Sequence, residues 1–90
     1  MYKLSKNVLL RYEESIDYGT FFVFNVINKE LWCGNKTSKF LIELIDGINN
    51  IDDIKEKLSS MLQAELSTEL DASIDNILNE LLEKEMIVLV

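Results

Sequence analysis

Phe21-Phe22-Val23-Phe24-Asn25-Val26-Ile27-Asn28-Lys29-Glu30-Leu31-Trp32-Cys33-Gly34-Asn35 is the stretch that decides the fold. It is rich in aromatic and β-branched residues, and Phe22, Phe24 and Val26 share one face at period two, as in a half-buried strand. Asn28-Lys29 supplies a short polar turn, and Leu31-Trp32-Cys33 resumes the extended run. Gly34 breaks that strand, and Asn35 is a good N-cap for a helix. The stretch is therefore a β-hairpin running straight into a helix. Its outer strand is a candidate open edge, where another chain can dock.

Working outward, Val8-Leu9-Leu10-Arg11-Tyr12-Glu13 reads as an upstream strand. Glu14 to Gly19 forms a polar connection, and Thr20 to Val26 and Glu30 to Cys33 complete a three-stranded antiparallel sheet. Such a sheet needs a covering layer, which the rest of the chain supplies as helices. The spacing predicts a first helix from Lys36 to Ile45, with Phe40, Leu41, Leu44 and Ile45 on one stripe and Asp46-Gly47 as its stop. Asn50 caps a second helix with Asp53 in its first turn, and Ile51, Ile54, Leu58, Met61 and Leu62 form its apolar face. A linker around Ala64 to Thr68 leads to a third helix over Glu69 to Lys84, striped by Leu70, Ile74, Ile77, Leu78, Leu81 and Leu82. Met86 to Val90 is an apolar tail that either adds a short strand or packs under the sheet. The order of elements predicts one α+β domain over residues 1–90, winged-helix-like, with a three-stranded antiparallel sheet followed by three helices.

Composition removes several classes of function. Ninety residues at 48% hydrophobic content can bury one modest core. One cysteine and no histidine exclude an intrachain disulfide, a Cys/His zinc site and a histidine triad. Cys33, inside an apolar strand, is expected as a small buried residue. No apolar run approaches the ~20 residues of a membrane helix, and no signal segment follows the N-terminus, so a cytoplasmic protein is expected. The net charge of −7 is uneven: nine acids and eight bases up to Ala64 give −1, while seven acids and Lys84 from Glu65 onward give −6. An acidic third helix disfavours nucleic acid and anionic membranes as partners.

From Phe21 to Ile87 the chain resembles the PqqD-like family, peptide-recognition domains of ribosomal peptide-modification systems. The resemblance rests on Phe22-Val23-Phe24-Asn25, the Glu30-Leu31-Trp32-Cys33-Gly34-Asn35-Lys36-Thr37-Ser38 entry to the first helix, and Phe40 through Gly47. It continues in Ile51-Asp52-Asp53-Ile54 and Leu81-Leu82-Glu83-Lys84-Glu85-Met86-Ile87. Gly34 departs from the pattern where relatives carry a larger apolar residue, and Glu85 stands where a glycine commonly ends the third helix. The resemblance implies a non-catalytic module without a cofactor. Such a module captures the leader segment of a precursor peptide and presents it to a modifying enzyme, often a radical S-adenosylmethionine enzyme. The leader adds as a strand beside the third strand, over the groove shared with the third helix.

That reading selects Glu30, Leu31, Trp32 and Cys33 on the strand, with Asp75, Leu78, Asn79 and Leu82 on the helix, as peptide-binding residues. Each also has a plainer role. Trp32 serves as a core aromatic, Leu78 and Leu82 as core, and Asp75, Asn79 and Glu83 as a solvated face. The alternative function is a protein-protein assembly module, with the same strand edge pairing to a second copy as a homodimer. A winged-helix DNA-binding protein needs several Lys or Arg on its third helix, and this one holds Lys84 alone. Carboxylates without a recognisable pair or cleft give no case for an enzyme.

Overall fold

The hairpin forms, and the face shared by Phe22, Phe24 and Val26 is its outer one. A computed structural model, describing residues 1–63, 65 and 67–90, places strands at Tyr2–Leu4 (β1), Val8–Glu13 (β2), Thr20–Asn25 (β3) and Leu31–Gly34 (β4). Helices follow at Lys36–Glu43 (α1), Ile51–Met61 (α2) and Thr68–Glu83 (α3), and Ile87–Leu89 forms β5. Phe21, Val23 and Asn25 point into the core, whereas Phe22, Phe24 and Val26 lie half-exposed on the outer face. The helices cover one side of the sheet, and the residues facing them are buried whatever the apolar content of the other side.

The three-stranded sheet is antiparallel throughout, in the order β2-β3-β4. Val23 sits between Leu10 and Trp32, and Phe22 between Arg11 and Cys33. Leu41, Ile42, Ile54, Leu58, Ile74, Leu78 and Leu81 close over the inner face with Phe21, Val23 and Trp32. The apolar tail becomes β5, whose Ile87 is buried beside Met86. It pairs antiparallel with β1, a strand the sequence pattern does not announce. The β1 strand also reaches the connector after α1, where the Gly47 amide donates to the Tyr2 carbonyl at 2.8 Å.

The caps of α1 and α2 are those the sequence expects, and α3 adds one inside the expected linker, Ser67. Asn35 accepts from the Ser38 amide, and Asn50 and Asp53 form a reciprocal capping box. Ser67 accepts from the Leu70 amide at the start of α3. The first helix ends at Glu43 rather than Ile45, because Leu44 is its C-cap and the buried Asn49 side chain donates to the Leu44 carbonyl at 3.2 Å. Asp46 accepts amide hydrogen bonds from Ile48 and Asn49, which hold its carboxyl below the usual carboxylate range. The expected linker around Ala64 to Thr68 includes Ala64 and Leu66, which lie outside the described residues; Thr68 already belongs to α3. Among the described residues no helix is long and apolar enough to cross a membrane.

Candidate peptide-docking edge

β4 is the last strand on its side of the sheet, and among the described residues it pairs with β3 alone. Which of its backbone groups face outward follows from the ladder. The Asn25 amide donates to the Glu30 carbonyl, and the Val26 amide to the Asn7 carbonyl, both at 2.9 Å. Bonding direction alternates along an antiparallel strand. Phe21, Val23 and Asn25 therefore bond toward β4, and Phe22 and Phe24 toward β2. On β4 the N–H and C=O groups of Leu31 and Cys33 are left pointing away from the sheet.

α3 runs antiparallel to this edge. Lys84 pairs with Glu30 at 3.1 Å, and one turn earlier Glu80 accepts a 2.8 Å hydrogen bond from the Trp32 indole N–H. The first contact is a surface pair worth ~0–1 kcal/mol. The second anchors a ring that is only 7% exposed, and a bond from such a donor to a charged acceptor is worth about 1.5–3 kcal/mol. Trp32 thus forms the wall between strand and helix. Ile77, half-buried three residues before Glu80, continues that wall.

The hairpin turn is tied to the same helix. The buried Asn25 donates its side-chain amide to the Lys84 and Glu85 carbonyls at 3.3 and 3.0 Å and accepts from the Ile27 and Asn28 amides. Asn28 adds a 2.9 Å bond to the Lys84 carbonyl. These side chains satisfy the carbonyls of Lys84, the C-cap of α3, and of Glu85 just beyond it. Asn25 and Glu80 were not among the residues singled out from the sequence. The contacts that join Asn25 to the end of α3 and Glu80 to Trp32 span 48 or more positions, and no local pattern carries such a contact.

The residues expected at the groove divide. Glu30, Leu31, Trp32 and Cys33 all lie on or beside the edge. Leu31 is 51% exposed, and Cys33 is exposed rather than buried, because it alternates with Trp32 and the core takes Trp32. Leu78 is core. Asp75, with Asp71 one turn before it, pairs with Lys55 of α2 on the other flank of α3. Asn79, one turn after Asp75, shares that flank by helical spacing. Leu82 opens on a separate cleft of about 460 Å³ with Asn25, Ile27 and Ile87. The strand residues therefore cluster, while the helix contributes Ile77, Glu80 and Lys84 to the edge. No family model, curated protein or solved structure matches the chain. Among the described residues no group of three or more His, Cys, Asp or Glu could hold a metal ion.

Proposed function

We propose that this chain is a winged-helix-like, PqqD-type recognition module, non-catalytic, that binds the leader segment of a precursor peptide by strand addition to β4. In this reading it hands the peptide to a modifying enzyme. The observation that carries it is the pair of outward-facing backbone groups at Leu31 and Cys33 on an edge walled by Trp32 and α3. An added strand there gains main-chain hydrogen bonds, and its alternate side chains meet either the outer sheet face or the Trp32–Ile77 wall. The acid along α3 opposes a phosphate backbone, so nucleic acid is not the partner of this edge.

The test is a titration with a synthetic peptide of ~15 to 20 residues from a precursor encoded beside this gene, long enough for a single added strand. Trp32 is the sole indole, and its emission is expected to shift or intensify saturably. Leu31→Pro removes an outward donor without touching the β3 ladder, and is expected to weaken binding at least tenfold while the fold persists. A folded L31P variant with unchanged affinity would sink the assignment of this edge.

The assembly reading has one observation in its favour. Leu9, Phe24 and Leu31 form an apolar row across the outer sheet face, with Leu9 and Leu31 exposed. A silent peptide together with concentration-dependent self-association would move the function to that class.

A further inference from the structure

The β2-β3-β4 sheet has a second edge, and the leader reading leaves it unused. By the same alternation, β2 bonds to β3 through Leu9, Arg11 and Glu13, leaving the N–H and C=O groups of Leu10 and Tyr12 pointing outward. Leu10 is 44% exposed there. Beside it a cleft of about 310 Å³ runs down to Leu4, Phe21, Ile42 and Ile45, with Arg11 and Glu43 also in its lining. On the other face of the strand Arg11 and Glu13 stand two residues apart and pair with each other, the Arg11 side chain remaining 75% exposed. Unprotected edges of this kind recruit further strands.

We propose that the β2 edge is where two copies of this chain associate. They pair β2 to β2 antiparallel about a twofold axis at Tyr12, and both β4 edges stay open. A twofold interface is self-complementary, so the strand must be able to face its own reversed copy. Centring on Tyr12 places Arg11 opposite the partner's Glu13 and Glu13 opposite the partner's Arg11. Cross-strand opposite charges stabilise such a pair, and like charges oppose it. An axis at Arg11 would set the two guanidinium groups against each other. An axis at Leu10 would leave both charges facing uncharged residues. The Tyr12 register also makes Tyr12 with Tyr12 a hydrogen-bonded pair, as its outward groups require. On the inner face the two Tyr12 side chains lie side by side at the edge of the cleft, and Glu14 of each copy stands opposite Leu10 of the other.

The charge distribution favours the same arrangement. The segment carrying −6 includes α3, which lies along β4 at the far side of the sheet. Joining through β2 keeps the two acidic segments at opposite ends of a six-stranded sheet. In this register β2 pairs directly only over Arg11, Tyr12 and Glu13 of each copy, a ladder of about 10 Å, well short of a standard interface of about 1,600 Å². The dimer is therefore expected to be weak, with a dissociation constant of roughly 10–100 μM.

The experiment is sedimentation velocity on the full chain from about 5 to 500 μM, a span chosen to bracket that constant. The wild type is expected to pass from monomer to dimer. R11E alone and E13R alone each set like charges opposite, and each is expected to raise the dissociation constant at least tenfold. An equimolar mixture of R11E and E13R restores the dimer, because an all-acidic pair of positions then faces an all-basic one. Leu10→Pro, which removes an outward donor, weakens association without charge change. A wild type that stays monomeric at the highest concentration overturns the proposal. So does a dimer that survives R11E, E13R and L10P in chains shown by circular dichroism to be folded. Leader binding at β4 is expected to be unchanged in R11E, so failure of one edge does not count against the other.

Discussion

Beside Gly34 the backbone is squeezed between the Trp32 ring and Ser38 in the first turn of α1. A Cβ added there would approach both more closely than non-bonded atoms tolerate. The residue reads from sequence as a strand breaker, and it is the last residue of β4; what demands glycine there is space for the indole. Gly34→Ala is expected to cost ~1–3 kcal/mol in a urea melt, the usual penalty for overpacking, with a red shift of Trp32 emission as the ring is displaced. Wild-type stability and emission in that variant would mean that the ring swings clear without loss. Glu85 is the opposite case. Its φ of 56° lies in the left-handed region, where a glycine commonly follows a helix. Glu85→Gly relieves a cost of ~1–2 kcal/mol but adds ~0.5–1 kcal/mol of unfolded-chain entropy. A net gain of about 0.5–1 kcal/mol is expected from chemical denaturation, and a loss would show that the weak contact between Asn28 and the Glu85 carboxylate matters more than the backbone.

Among the elements, helices were far more legible than strands. Asn35, Asn50 with Asp53, and the stripe of Ile74, Leu78 and Leu81 carry local signals that the structure repeats. The strands from Phe21 to Val26 are apolar in both phases, so periodicity could not tell the core face from the outer one. The helices decide it by covering one side. Tyr2–Leu4 is too short to give a pattern, and its partner β5 lies at the other end of the chain. The candidate site was legible where it is strand and not where it is helix. A stripe shows which residues of α3 are apolar, but not which flank turns toward β4. Lys55 fixes that orientation by bridging Asp71 and Asp75, and the hydrogen bonds its ammonium donates to both carboxylates raise its pKa above the ordinary lysine value. The raised pKa means that the folded state holds the proton more tightly than the unfolded chain. The contribution is complete below pH 10.5 and is lost as pH rises through the folded pKa. The melting temperature of Lys55→Met is therefore expected to fall less than that of wild type between pH 9 and pH 11.5, as followed by circular dichroism. Parallel losses in the two proteins would remove Lys55 as the clamp between α2 and α3.

At the scale of the whole molecule, acid is concentrated along α3, but its two flanks differ. Asp71 and Asp75 are neutralised in part by Lys55, whereas Glu80 borders the open β4 edge without an ion-pair partner among the described residues, next to Glu30 with its Lys84 pair. If the proposed leader carries lysine or arginine beside its docking segment, that field steers its approach to β4. Its affinity is expected to fall as salt rises, mainly through slower association, since screening acts on encounter more than on the docked contacts. Because Glu80 also holds the Trp32 indole, the informative change is Glu80→Gln, which keeps an acceptor oxygen and removes the charge. Together with Glu30→Gln it is expected to flatten the salt dependence of the association rate measured by stopped-flow Trp32 fluorescence. Asp75→Asn, on the far flank, is expected to leave that dependence in place. If Asp75→Asn flattens the curve as much as Glu80→Gln does, the peptide crosses the Lys55 side of α3, and the strand-addition site at β4 loses its electrostatic support. If salt has no effect on any of the proteins, the leader is held by backbone bonds and the Trp32–Ile77 wall, and the charge on α3 serves some other contact.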